Sequence, residues 1–123
     1  VYLSLGMTYF GNKKLDMKSV RVETEDNYYD FTCDEEFIGG YDNDLKAWFD
    51  YELFDMDDET SWLNEWLAAK SVTATFTGKD GSTKTYTLTK DNLQAIRDVL
   101  NVYDTLLGSD VSTARVVLRS LVK

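Results

Sequence analysis

The sequence predicts an α+β fold: a mostly antiparallel sheet of about five to six strands with two to three helices packed on one face. Apolar residues alternate with period two through most of the first half of the chain. The spacing then switches to helical steps, in the stretch around Trp62 and again after Thr89. Strand-like segments come in groups rather than alternating regularly with helices, which favours α+β over a doubly wound sheet. Each predicted helix has a single apolar stripe to bury, so the helices are expected on one side of the sheet.

Val1 to Phe10 alternates, with Val1, Leu3, Leu5, Met7 and Tyr9 on one side and Ser4, Gly6 and Thr8 on the other. That is a strand. Gly11-Asn12-Lys13-Lys14 reads as a turn. Val20 and Val22, then Tyr29, Phe31 and Cys33, alternate with polar residues about the turn Glu25-Asp26-Asn27, which predicts a hairpin with one wet face. Gly39-Gly40 reads as a break. From Leu45 to Asp55, Ala47, Phe49, Tyr51 and Leu53 alternate against Lys46, Asp50 and Glu52. This predicts a strand whose even-numbered side is polar, partly covered by Trp48 and Phe54.

Asp57 or Asp58 is placed to cap a helix carrying Trp62, Leu63, Trp66 and Leu67. The two tryptophans, four apart, are expected in the core. Val72, Ala74 and Phe76, the turn Gly78-Lys79-Asp80-Gly81, and the return strand with Tyr86 and Leu88 predict a second hairpin. Its alternate positions place a threonine ladder on one sheet face, as β-propensity on a wet surface does. Thr89 caps a second helix with a stripe of Leu93, Ile96, Leu100, Tyr103 and Leu107, and Gly108 is its natural stop. Residues 110–123 are expected to form a C-terminal amphipathic helix, with Arg115, Arg119 and Lys123 at helical spacing. Such a helix would pack on its own domain or lie on an anionic surface. No linker or repeat appears, so residues 1–123 are read as a single domain.

Composition removes several chemistries. The chain of 123 residues has no His, no Pro and one Cys. Ser-His-Asp and Cys-His catalysis, His-ligated zinc and an internal disulfide are therefore excluded within one chain. Cys33 stands before Asp34, Glu35 and Glu36, which disfavour its thiolate, so it is expected as a small buried hydrophobe. No Gly-rich phosphate loop occurs. A net charge of −9 argues against nucleic acid as a partner. No apolar run approaches the roughly 20 residues of a membrane span. The first residue is Val rather than Met and no signal-like segment follows it, which suggests a processed chain and an extracytoplasmic site.

One surface stands out. Between Asp30 and Glu59 lie twelve acids and a single base, Lys46, so the rest of the chain is net basic. The same stretch holds Phe31, Phe37, Tyr41, Trp48, Phe49, Tyr51 and Phe54, so it is structured. We expect a non-enzymatic binding domain whose acidic and aromatic surface docks a basic protein partner. The residues are Tyr41, Asp42, Asp44, Trp48, Asp50, Glu52, Asp55 and Asp57. Acids would steer and orient, while Trp48 and Tyr41 would anchor.

Three other readings compete. The acids could serve only solubility in a scaffold module that self-associates. They could form an irregular calcium site, although Asp42 and Asp55 lack the Gly at position six and Glu at position twelve of an EF-hand loop. No cofactor is otherwise expected. Asp50 and Glu52, about 7 Å apart on one strand face, could also act as a glycoside-hydrolysing pair with Trp48 as a sugar platform.

Overall fold

The computed structural model describes residues 2–33, 38–106 and 113–121. The chain runs β1 (Tyr2–Gly11), β2 (Met17–Glu23), β3 (Tyr28–Thr32), β4 (Ile38–Asp42), β5 (Ala47–Asp55), α1 (Thr60–Ala68), β6 (Thr73–Gly78), β7 (Thr83–Thr87), α2 (Lys90–Leu106) and β8 (Thr113–Leu121). It is α+β, and its strand pairing is mostly antiparallel. The strands form two four-stranded sheets, ordered β4-β5-β1-β8 and β3-β2-β6-β7. The sequence predicted a single sheet with fewer strands. The two strands it missed, β4 and β8, are the outer strands of the first sheet.

The sheets face each other across a common core. Leu3, Leu5, Met7 and Tyr9 of β1 point inward, as do Val20 and Val22 of β2, Tyr29 and Phe31 of β3, and Ala74 and Phe76 of β6. Ring contacts cross the gap at two places: Tyr9 with Phe76 (6.1 Å) and Phe31 with Phe54 (4.9 Å). Helix α1 brings Trp62 and Trp66 against Tyr29 and Phe31, with Trp66 wholly buried. Its indole N–H has no hydrogen-bond partner among the described residues. It sits instead among rings that meet the indole edge-on. Helix α2 lies along β8, touches α1 and adds Ile96, Leu100 and Tyr103 to the same core. Among the described residues, no helix is long and apolar enough to cross a membrane.

Local signals explain most ends. Thr89 caps α2 as its sequence predicts: its hydroxyl accepts the Asn92 N–H (3.2 Å), and Asn92 Oδ1 accepts the Thr89 N–H (2.9 Å). This reciprocal pair satisfies donors that the helix start leaves open. Gly11 is required because Tyr9 folds its ring over it; a Cβ there would overlap the Tyr9 hydroxyl, which donates to Lys13 O at 3.2 Å. The threonine ladder forms, with Thr73 opposite Thr87, Thr75 opposite Thr85 and Thr77 opposite Thr83.

Four expectations change. First, α1 begins at Thr60 with Glu59 before it and no side-chain cap, so neither Asp57 nor Asp58 caps it. The Asp57 carboxylate instead accepts the N–H of Leu3 and ties the chain after β5 to the start of β1. Second, Gly39-Gly40 lies inside β4 rather than breaking the chain, because the strand pairs with β5 through its backbone. Third, the C-terminal segment is not a helix. Thr113 to Leu121 runs parallel to β1, from Tyr2↔Thr113 to Phe10↔Leu121. Its contiguous Val116-Val117-Leu118 suits a strand in a parallel pair, where apolar residues run on instead of alternating. Leu107 of the predicted second-helix stripe, Gly108 and Lys123 lie outside the described residues.

Fourth, β5 is turned over. The register sets Asp50 opposite Tyr9, Glu52 opposite Met7 and Phe54 opposite Leu5, so the even-numbered side is the inner one. Leu53, expected inside, is 39% exposed. A shift of one residue moves every side chain of a strand to the other face. Here the pairing with β1 decides the matter, since the inner side of β1 is set by four large apolar residues. The sequence already carried a trace of this in Trp48 and Phe54 on the nominally polar side.

Candidate functional site

The turn end of the β4–β5 hairpin gathers half of the predicted residues. Tyr41 and Trp48 stand directly opposite each other in the register. Their rings meet nearly edge to face, 5.3 Å apart at 76°. That geometry sets the positive edge of one ring against the negative face of the other. Tyr41 is 46% exposed, and Trp48 is half-buried.

The turn between the strands spans residues 43–46. It is pinned by Asp42, whose Oδ1 accepts the N–H groups of Asp44 and Leu45, both at 2.9 Å. An Asp at this place mimics a backbone turn with its side chain. Lys46 closes the turn in the left-handed region, with φ 51°. Asp44 is exposed, and so is Leu45 at 50%. Leu45 was read from the sequence only as the start of a strand. Its position between Asp44 and Lys46 in a polar turn was the available signal, since no period-two partner buries it there.

The other four predicted residues lie farther along β5 or just beyond it. Asp55 is opposite Ser4 at the far end of β5, about 26 Å along the strand from Ala47 at ~3.3 Å per residue. Its Oδ1 accepts the Asp57 N–H (3.0 Å), while the Asp57 carboxylate holds Leu3. Both acids serve the junction of β1 and β5. Glu52 is half-buried on the inner side. Asp50 is only 3% exposed, so it is corrected from a docking residue to a buried one. Its Oδ2 accepts the N–H of Met17 at 3.0 Å, a bond that joins the two sheets.

The inner acids shape a small polar region in the core. Burial pushes the Asp50 carboxyl above the usual carboxylate range, and the charge of Asp16 adds to this; the Met17 amide and Lys14 pull the other way. Burial pushes the Cys33 thiol up to about 12, with Glu52 and Asp50 adding to the effect. Tyr9 is raised by its burial and then by Asp50. Cys33 is thus a weak nucleophile through burial, Glu52 and Asp50; the neighbours that suggested this in the sequence, Asp34, Glu35 and Glu36, lie outside the described residues. The pair Asp50 and Glu52 does share one strand side, but Asp50 is enclosed rather than set in a cleft. Among the described residues, no three acids or Cys converge as a metal would require.

A second polar surface lies on the outer side of the β3-β2-β6-β7 sheet. Arg21 donates through Nε and Nη2 to both oxygens of Asp30, at 2.7 and 3.0 Å. Its guanidinium also stacks over Tyr28, 4.3 Å from the ring centre. Beside it is an open depression of about 480 Å³, lined by Ser19, Thr32, Thr75 and Thr77 among others. Arg21 is therefore already matched by a carboxylate and an aromatic ring of its own sheet. Comparison with family models, curated proteins and solved structures finds no match to this chain.

Proposed function

We propose that this chain acts by binding, and that it docks a basic protein surface through the β4–β5 hairpin. The observation that carries the reading is the exposed Tyr41 ring held edge to face on Trp48 beside Asp42 and Asp44. An aromatic pair held in place before binding loses little side-chain freedom when a partner covers it. Acids at the rim attract and orient a basic surface more than they add to final affinity. Neither ion pair, Lys14–Asp16 or Arg21–Asp30, engages Asp42 or Asp44. The enclosure of Asp50 weighs against the glycosidase reading, because a sugar would have to enter between the sheets.

The test uses poly-L-lysine as the probe and calorimetry as the readout, in a salt series. Asp42→Asn with Asp44→Asn removes two charges while leaving at position 42 an oxygen that can hold the turn. Tyr41→Ala removes the anchor. Each is expected to weaken binding about tenfold at low salt, and binding is expected to fall as salt rises. If both variants bind as the native chain does, the net charge of the whole protein drives association and the hairpin reading is wrong.

A further inference from the structure

Among the described residues, the outer edge of β4 suits one form of partner for this hairpin. We propose that β4 accepts an extended basic segment as an added strand, continuing the sheet beyond β4 while the Tyr41–Trp48 pair takes one of its side chains. This rests on the docking reading above and specifies its partner. Among the described residues, β4 has β5 on one side and no strand on the other. Alternate residues of such an edge turn their N–H and C=O outward, which is a template for another strand. Gly39 and Gly40 lie consecutively in it, so two neighbouring positions carry no side chain to hinder an approaching backbone. The spacing suits both parts of the interaction. Tyr41 follows the glycines in the same strand, so a chain bonded along β4 passes the aromatic pair.

Charge selects the occupant. Asp42, partly exposed, ends β4 and the exposed Asp44 follows in the turn, so lysine or arginine side chains at alternate positions of the added strand would meet negative charge. A second copy of this chain is the poorer occupant, since two molecules of net charge −9 repel. Of the second sheet's outer strands, β3 has its Asp30 and Tyr28 already engaged by Arg21, and β7 offers no comparable feature. Its Thr83, Thr85 and Thr87 are exposed hydroxyl residues with no acid among them.

The experiment titrates the full chain with an alternating Lys-Val octapeptide, the same peptide N-methylated throughout, and an alternating Glu-Val octapeptide. Amide hydrogen exchange of Gly39, Gly40 and Tyr41 is followed alongside calorimetry. The Lys-Val peptide is expected to bind and to slow exchange within β4 about tenfold or more. N-methylation is expected to weaken it at least tenfold, and the Glu-Val peptide is expected not to bind. Equal affinity of the two Lys peptides, or slowed exchange at β7 or β3 instead of β4, overturns strand addition. In that case a poly-L-lysine affinity that still depends on Tyr41, Asp42 and Asp44 leaves the docking reading standing. Loss of that dependence removes both.

Discussion

Replacing Asp50 by Asn tests whether the buried acid acts on stability in the way its surroundings dictate. Asp50 is almost fully enclosed between the sheets and takes the Met17 N–H at 3.0 Å. Burial, aided by Asp16, raises its folded-state pKa above the ordinary value. The folded chain therefore holds this proton more tightly than the unfolded chain does. The contribution is fully present below the unfolded pKa, near 4, and is lost as pH rises through the raised folded value. Within that window the slope reaches at most about 1.4 kcal/mol per pH unit. For a chain of 123 residues, 1 kcal/mol moves Tm by roughly 4 °C, so this group is worth up to about 5 °C per pH unit. Asn keeps an oxygen for the Met17 amide and drops the charge, which removes the slope. The assay is thermal unfolding of both chains from pH 4 to 8, read as the difference in Tm. The native chain is expected to lose ground to Asp50→Asn as pH rises from about 4, and then to level off. A flat difference would refute burial as the dominant influence. A difference of the opposite sign would mean that the amide bonds and Lys14 outweigh it. Asp50→Ala, which leaves the Met17 N–H without its acceptor, is expected to fall below Asp50→Asn by about 1–3 kcal/mol, or roughly 4–12 °C.

Two further outcomes follow from groups outside the hairpin. With its thiol pushed up to about 12, Cys33 in the native chain is expected to react with iodoacetamide at pH 8 at least tenfold more slowly than in denaturant, because the loss of thiolate outweighs the greater nucleophilicity of the thiolate that remains; equal native and denatured rates would contradict the burial that raises it. Gly78→Ala would set a methyl group onto the Leu15 carbonyl oxygen and against Leu15 Cδ1. It is expected to cost up to about 3 kcal/mol, or roughly 12 °C in Tm, and an unchanged melting temperature would show that the loop before β2 yields freely.

Sequence alone determined what depends on neighbours in the chain. The period-two runs of β1, β2, β3 and β6 each bury the residues their alternation selects, because a strand puts successive side chains on opposite faces. The Thr89 cap and the stripe of α2 are likewise local, and so is the pairing of threonines across a four-residue hairpin turn. Half of the candidate site was legible for the same reason, since Tyr41, Asp42, Asp44 and Trp48 are brought together by one short turn.

Tertiary structure decided everything that turns on a distant partner. The segment 113–121 suits a helix by its own spacing and becomes a strand because β1 offers it a parallel edge. The glycines of β4 have no β-propensity to read, and they are ordered by backbone bonds to β5. Alternation in β5 marks two faces without saying which is inside. Its pairing with β1 turned Asp50 and Glu52 inward, and a backbone amide from the other sheet meets Asp50 there. Asp57 looked like a helix cap because only its own neighbours were visible; its partner, the N–H of Leu3, lies 54 residues away in the chain.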